Sequence, residues 1–223
     1  MTATQNTVSV VIGGSTGIGR AVADALTARP GRVHVASRRT GLDVTNADKL
    51  ASYFEKLGPI DHLVVTSGSQ APGGKVTEIP LAEAKAAFDV KFWGTIAVVR
   101  AAAVHIRSGG TITLTSGFLA RRIVPGTYVK TTMNTALEAA AKILARELSP
   151  IRVNVISPGL TNTEAYAGMA ENARRTMLER AAADLPAATY GRPQDLAAAY
   201  LFAIDNPFVT GSVIDVEGGA LIN

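Results

Sequence analysis

The sequence predicts an α/β chain organised as a doubly wound, mostly parallel sheet. Short apolar, β-branched runs recur at 8–12, 32–36, 62–66, 111–115, 152–156 and 213–216, the pattern of strands buried on both faces. Stretches of helical composition lie between them, at 17–28, 46–57, 80–106, 134–148, 164–184 and 193–204. Strands that alternate with helices pair in parallel through helical crossovers. The chain has 223 residues, enough for one full core, and no repeat, low-complexity tract or Gly/Ser linker divides it, so residues 1–223 are expected to form a single domain.

Composition removes several classes of function. Hydrophobic residues make up 47% and charged residues 18%, and no apolar run is long enough to span a membrane. The absence of cysteine excludes disulfide scaffolds, thiolate metal sites and thiol nucleophiles. The net charge of +4 is spread over scattered pairs such as Arg38-Arg39, Arg121-Arg122 and Arg174-Arg175, too weak a pattern for nucleic acid. Asp, Glu and His show no metal-ligand spacing, so no metal is expected. The N-terminus runs into the first strand without a basic segment, which makes the cytoplasm the expected compartment.

The first strand runs into Gly13-Gly14-Ser15-Thr16-Gly17-Ile18-Gly19, and an amphipathic helix follows. Backbone amides of such a turn can close on a pyrophosphate, whose charge the positive end of the helix dipole stabilises. The second strand ends in Ser37-Arg38-Arg39, where a carboxylate would bind a ribose 2′-hydroxyl. Arginine instead accommodates a 2′-phosphate, so NADPH/NADP is expected over NAD, with Arg38 as chief contact and Ser37 and Arg39 beside it. Only residues 37–41 then precede Leu42-Asp43-Val44, too few for a crossover helix. The sheet is therefore expected to be shortened after strand 2, with residues 42–44 a short edge strand or an extended loop. Residues 163–191 form the one long excursion between sheet elements, read as a helical flap over the substrate or as a surface helix.

These residues resemble the short-chain dehydrogenase/reductase family over nearly the whole chain. The glycine turn, Leu42-Asp43-Val44, Asn154-Val155-Ile156-Ser157-Pro158-Gly159, Gly191-Arg192-Pro193 and Val216-Glu217-Gly218-Gly219 all match its motifs. The resemblance implies a Rossmann-like fold and a cofactor held by Gly13, Ser15, Thr16, Gly17, Ile18, Ser37, Arg38, Arg39, Asp43, Val44, Ser67, Gly68, Lys91, Asn134, Pro158, Gly159, Leu160 and Thr161. Asp43 and Val44 would flank the adenine, and Pro158-Gly159 would border the nicotinamide. It also implies a small-molecule substrate and a homodimer or homotetramer formed through helices 80–106 and 134–148.

Family catalysis rests on an Asn, Ser, Tyr, Lys set, in which lysine lowers the tyrosine pKa and serine polarises the substrate oxygen. Of these, Ser116 is retained in Thr113-Leu114-Thr115-Ser116-Gly117, while Val65-Thr66-Ser67-Gly68 replaces the usual Asn-Asn-Ala-Gly. Alignment through the ungapped stretch at 136–159 puts Lys130 at the tyrosine position and Asn134 at the lysine position. Lys91, in Phe88-Asp89-Val90-Lys91-Phe92-Trp93-Gly94, stands where the family carries asparagine. Asparagine and lysine thus exchange helices, and Lys91 and Asn134 are expected to serve the site from swapped positions. Tyr128 remains an alternative proton donor, reaching the pocket if the helix begins after it. His34, His62 and His105 read as structural. The function expected is an NADPH-dependent oxidoreductase acting on a small hydrophobic substrate; the alternative is an NADPH-binding regulatory or sensor protein without turnover.

Overall fold

A computed structural model describes residues 4–68 and 71–223. Six parallel strands, β1 (Val8–Ile12), β2 (Arg32–Ala36), β3 (Ile60–Val65), β4 (Ile106–Thr115), β5 (Arg152–Pro158) and β6 (Val213–Val216), form one sheet of order β2-β1-β3-β4-β5-β6. Seven helices flank it: α1 (Gly17–Thr27), α2 (Ala47–Leu57), α3 (Leu81–Phe88), α4 (Gly94–Ala103), α5 (Tyr128–Glu147), α6 (Glu171–Ala183) and α7 (Pro193–Asp205). This is the single Rossmann-type α/β domain that the alternation predicts. No described helix is long and apolar enough to cross a membrane.

Strands buried on both faces need apolar residues at successive positions rather than at alternate ones. All five residues of β1 are buried, and so are Leu63, Val64 and Val65 of β3. One face carries Val10, Ile12, Leu63 and Leu114 into a cluster with Leu50 and Phe54 of α2 and Val98 and Ala102 of α4. The other sends Val11, Val64 and Ile156 against Val22 and Leu26 of α1 and Leu196 and Tyr200 of α7. Tyr200 is fully buried and its hydroxyl is satisfied by Thr115 Oγ1 at 2.6 Å. Strand order reverses between β1 and β3, and the loops leaving the C-terminal ends of these strands frame the crevice where such folds bind ligands.

After β2 the chain makes one 3₁₀ turn (Arg38–Thr40) and a non-strand stretch before α2. Leu42–Val44 is thus an extended loop, and β2 forms the sheet edge. Leu42 and Val44 are nevertheless buried, because Val44 packs against the start of α4: a Cβ on Gly94 would lie 2.6 Å from Val44 Cγ2.

Two predicted helices differ from those observed. The helix expected at 80–106 is interrupted at Asp89–Trp93 by a π-helical turn, in which the Gly94 N–H donates to the Asp89 carbonyl. The helix expected at 134–148 begins six residues earlier, at Tyr128, and in its first turns the Thr127 and Thr132 hydroxyls bond nearby carbonyls while Thr127 and Thr131 hydroxyls bond each other. Within 164–184 the chain forms a 3₁₀ turn (Glu164–Tyr166) and then α6.

Candidate active site

The glycine turn passes close against the residues that follow β3. Gly13 has φ +90, and a Cβ there would meet the Ser67 backbone nitrogen at 2.7 Å. Only glycine adopts that conformation in that space without strain. Ser15 Oγ and Ser37 Oγ lie 2.6 Å apart, tying the turn to the end of β2. Ser37 Oγ also accepts the Arg39 N–H, while Thr40 returns a bond to the Ser37 backbone, so the 3₁₀ turn carrying Arg38 and Arg39 is capped at its start. Both arginines are exposed, and neither forms a salt bridge with any described residue. Asp43 Oδ1 accepts from the Thr45 N–H and hydroxyl, which hold its pKa below the usual carboxylate range.

These residues fit a nicotinamide dinucleotide. Thr16 makes no side-chain cap on α1, which leaves the first-turn amides directed outward. Ser67 Oγ is buried without a hydrogen-bond partner among the described residues, an orphan donor beside the glycine turn. Within the same cradle the Gly17 N–H donates to Glu164 Oε2 at 2.8 Å. That carboxylate comes from the segment after β5, where Arg174 of α6 holds Asn162 Oδ1 and the Thr163 carbonyl. Pro158, Gly159, Leu160 and Thr161 leave the end of β5 at the same sheet edge; Gly159 N–H pairs with the Val216 carbonyl, and buried Thr161 bonds the Gly159 carbonyl.

Beside the cradle lies a cavity of about 200 Å³ that brings together Lys91, Ser116, Lys130 and Asn134, with Gly68, Ala71, Gly117, Phe118, Leu119, Met133 and Pro158 around them. Lys91 comes from the π-helical turn, Lys130 and Asn134 from one face of α5, and Ser116 from the end of β4. A π turn widens the helix by one residue and re-aims the side chains within it, and Lys91 is its one buried residue. Its carbonyl accepts from the Thr95 hydroxyl at 2.6 Å. The Lys91 ammonium has no hydrogen-bond or ion-pair partner among the described residues, and burial lowers its pKa to about 8.

Two sequence expectations change here. Ser116 reaches the cavity, yet its hydroxyl donates to Glu138 Oε1 at 2.8 Å. Glu138 is in turn ion-paired with Arg121, which also binds Asp215 and Ser157. The Ser116 proton is therefore engaged by the protein, and it is the Gly117 Cα that faces the Asn134 amide: a Cβ at that glycine would lie 3.0 Å from Nδ2. Tyr128 is not brought to this site. It opens α5 and lines a separate cavity with Leu81, Ala84, Lys85, Phe88, Asp89 and Trp93. Two residues on a helix diverge by about 200°, so Lys130 faces the site and Tyr128 turns away from it.

Sequence reasoning placed Lys130 at the tyrosine position without assigning it to the site, and it missed Glu138 and Glu164. Lys130 had a usable signal in its i, i+4 spacing from Asn134. The two glutamates had none, since their partners lie 22 and 147 residues away.

Comparison with known proteins agrees with this architecture. The family model described as Enoyl-(Acyl carrier protein) reductase matches residues 21–220. Short-chain dehydrogenase/reductase ATR9 of Stachybotrys chlorohalonatus is 31% identical over 249 residues, covering 96% of each chain. Carbonyl reductase family member 4 of Danio rerio is 28% identical over 236 residues, 95% of this chain and 96% of its own. A small-chain dehydrogenase crystallised in complex with NADPH matches with TM-score 0.95 and 52% identity, covering 98% of this chain and 100% of that one. The chain belongs to the short-chain dehydrogenase/reductase family of oxidoreductases.

Proposed function

We propose that this protein is an NADPH-dependent reductase of carbonyl groups on small molecules, with Lys91 and Asn134 at the reacting oxygen. The observation that carries this reading is the enclosed Lys91 side chain, its ammonium without a partner among the described residues, lining with Asn134 a cavity that adjoins the glycine cradle. The glycine turn would hold the pyrophosphate, Arg38 and Arg39 the 2′-phosphate, Asp43 and Val44 the adenine, and Pro158 to Thr161 the nicotinamide side. The NADPH complex of the 52% identical dehydrogenase supports that cofactor. When bound, NADPH supplies the hydride equivalent.

The chain's own contribution is to orient and protonate. Asn134 donates an amide hydrogen to the carbonyl oxygen, and Lys91 transfers a proton from Nζ to that oxygen as it becomes a hydroxyl. A pKa of about 8 suits this role, because the ammonium is populated at neutral pH and gives up its proton more readily than an exposed lysine. Lys91 then recovers a proton from solvent. Ser116 acts as a positioning residue, its bond to Glu138 fixing the loop that sets Gly117 against Asn134. Residues 163–191 serve as the flap, a cytoplasmic setting is the one we favour, and exposed Trp93 and Val104 at the two ends of α4 and Ile143 on α5 suit assembly with further copies.

Substrate-dependent NADPH consumption across ketones, aldehydes and quinones tests the reading. Turnover lost in Lys91→Met supports it; tight NADPH binding without turnover on any of them supports a sensor instead. Arg38→Asp should weaken NADPH binding about tenfold or more while leaving NADH binding nearly unchanged, as expected for a charge-assisted phosphate contact. Equal loss for both coenzymes in titrations would overturn the 2′-phosphate assignment.

A further inference from the structure

The charge balance of the cavity points to a class of substrate. Its described lining carries two ammonium groups, Lys91 and Lys130, and no carboxylate. Glu138, which meets the cavity residue Ser116, is already ion-paired with Arg121. Lys91 is only 7% exposed and unpartnered among the described residues, whereas Lys130 is an exposed residue of the same lining. A lysine this enclosed without a counter-ion is costly, and burial alone lowers its pKa. Cofactor sugar hydroxyls offer oxygen atoms but no compensating charge. Besides the polar Ser116 and Asn134, the lining includes apolar Ala71, Phe118, Leu119 and Met133.

Building on the reductase reading, we infer that the substrate is an anionic carbonyl compound, a 2-oxo acid or close relative whose carboxylate pairs with Lys130 while its carbonyl oxygen meets Lys91 and Asn134. The apolar walls take the rest of the molecule. In this arrangement Lys130 replaces the tyrosine of its relatives with a selectivity group, and the substrate supplies the negative charge that the protein omits. Neutral ketones of the same shape leave both ammoniums uncompensated and are disfavoured.

The probe is benzoylformate against its primary amide, a neutral isostere of nearly identical size, each titrated by calorimetry into the protein with and without NADP. The acid should bind about tenfold or more tightly than the amide, in line with a charged hydrogen bond. The preference should shrink as salt is raised and fall severalfold in Lys130→Met, where acid affinity drops more than amide affinity. Equal binding of acid and amide, tighter binding of the amide, no saturable binding of the acid, or an acid preference untouched in Lys130→Met overturns the inference. Failure of the reductase reading shows separately: selective acid binding without NADPH consumption removes the activity and leaves the anion site standing.

Discussion

Lys91 sits where the folded chain gains nothing from its charge, and the consequence is measurable. Its pKa falls from 10.5 to about 8 through burial, so below pH 8 the folded protein holds a proton that the unfolded chain binds more tightly. The displacement corresponds to about 3 kcal/mol of stability withheld at neutral pH. Lys91→Met, similar in shape and uncharged, is therefore expected to raise unfolding stability at pH 7 by up to about 3 kcal/mol while abolishing turnover. Between pH 8 and 10.5 the wild type sheds this proton on folding and gains stability, so the advantage of the variant should shrink across that window. Urea denaturation of both proteins at pH 7 and near pH 10 checks the sign; an undiminished gap would show that packing rather than charge separates them. The rate of reduction should fall as pH rises above about 8, following loss of the same ammonium.

Individual elements position these groups through contacts of long sequence separation. The π turn at Asp89–Trp93 aims Lys91, and the bare α-carbon of Gly94 lets the Val44 loop seat against the next helix. The segment after β5 reaches back to α1, where Glu164 takes the Gly17 N–H. A carboxylate there would share ground with the pyrophosphate proposed for this turn, and the two would repel one another. Glu164→Gln is expected to tighten NADPH binding severalfold, most strongly at low salt, where screening is least. Fluorescence titration at two ionic strengths reads this directly; weaker binding in the variant would mean that the carboxylate assists the cofactor rather than competing with it.

Across the whole molecule, stability should depend on pH through a group far from the chemistry. His62 on β3 is buried, with Nδ1 2.9 Å from Thr111 Oγ1, and burial pushes its pKa down from 6.5 to about 4. Between those values the unfolded chain binds the proton and the folded chain does not. The contribution of His62 to stability is thus complete above pH 6.5 and declines by up to about 3 kcal/mol as pH falls toward 4. His62→Asn retains a bond to Thr111 without the titration, and its denaturation midpoints should flatten over that range relative to wild type.

The α/β class, the six strands and the glycine cradle were legible in the residues, because burial on both faces of a parallel sheet imposes continuous apolar runs, and a phosphate turn needs glycine at set spacings. The meeting of Lys91 and Asn134 at one cavity was legible too, since both stand at fixed offsets within recognisable stretches. The π turn, the diversion of Ser116 to Glu138, the turning away of Tyr128 and the reach of Glu164 to Gly17 were not. Each depends on where a side chain ends up relative to a partner on another element, and local spacing carries no record of that distance. Linear order specified which groups are present; packing of α5, the π turn and the β4 loop around one cavity settled which of them meet, because helix phase and side-chain direction are set by the whole core.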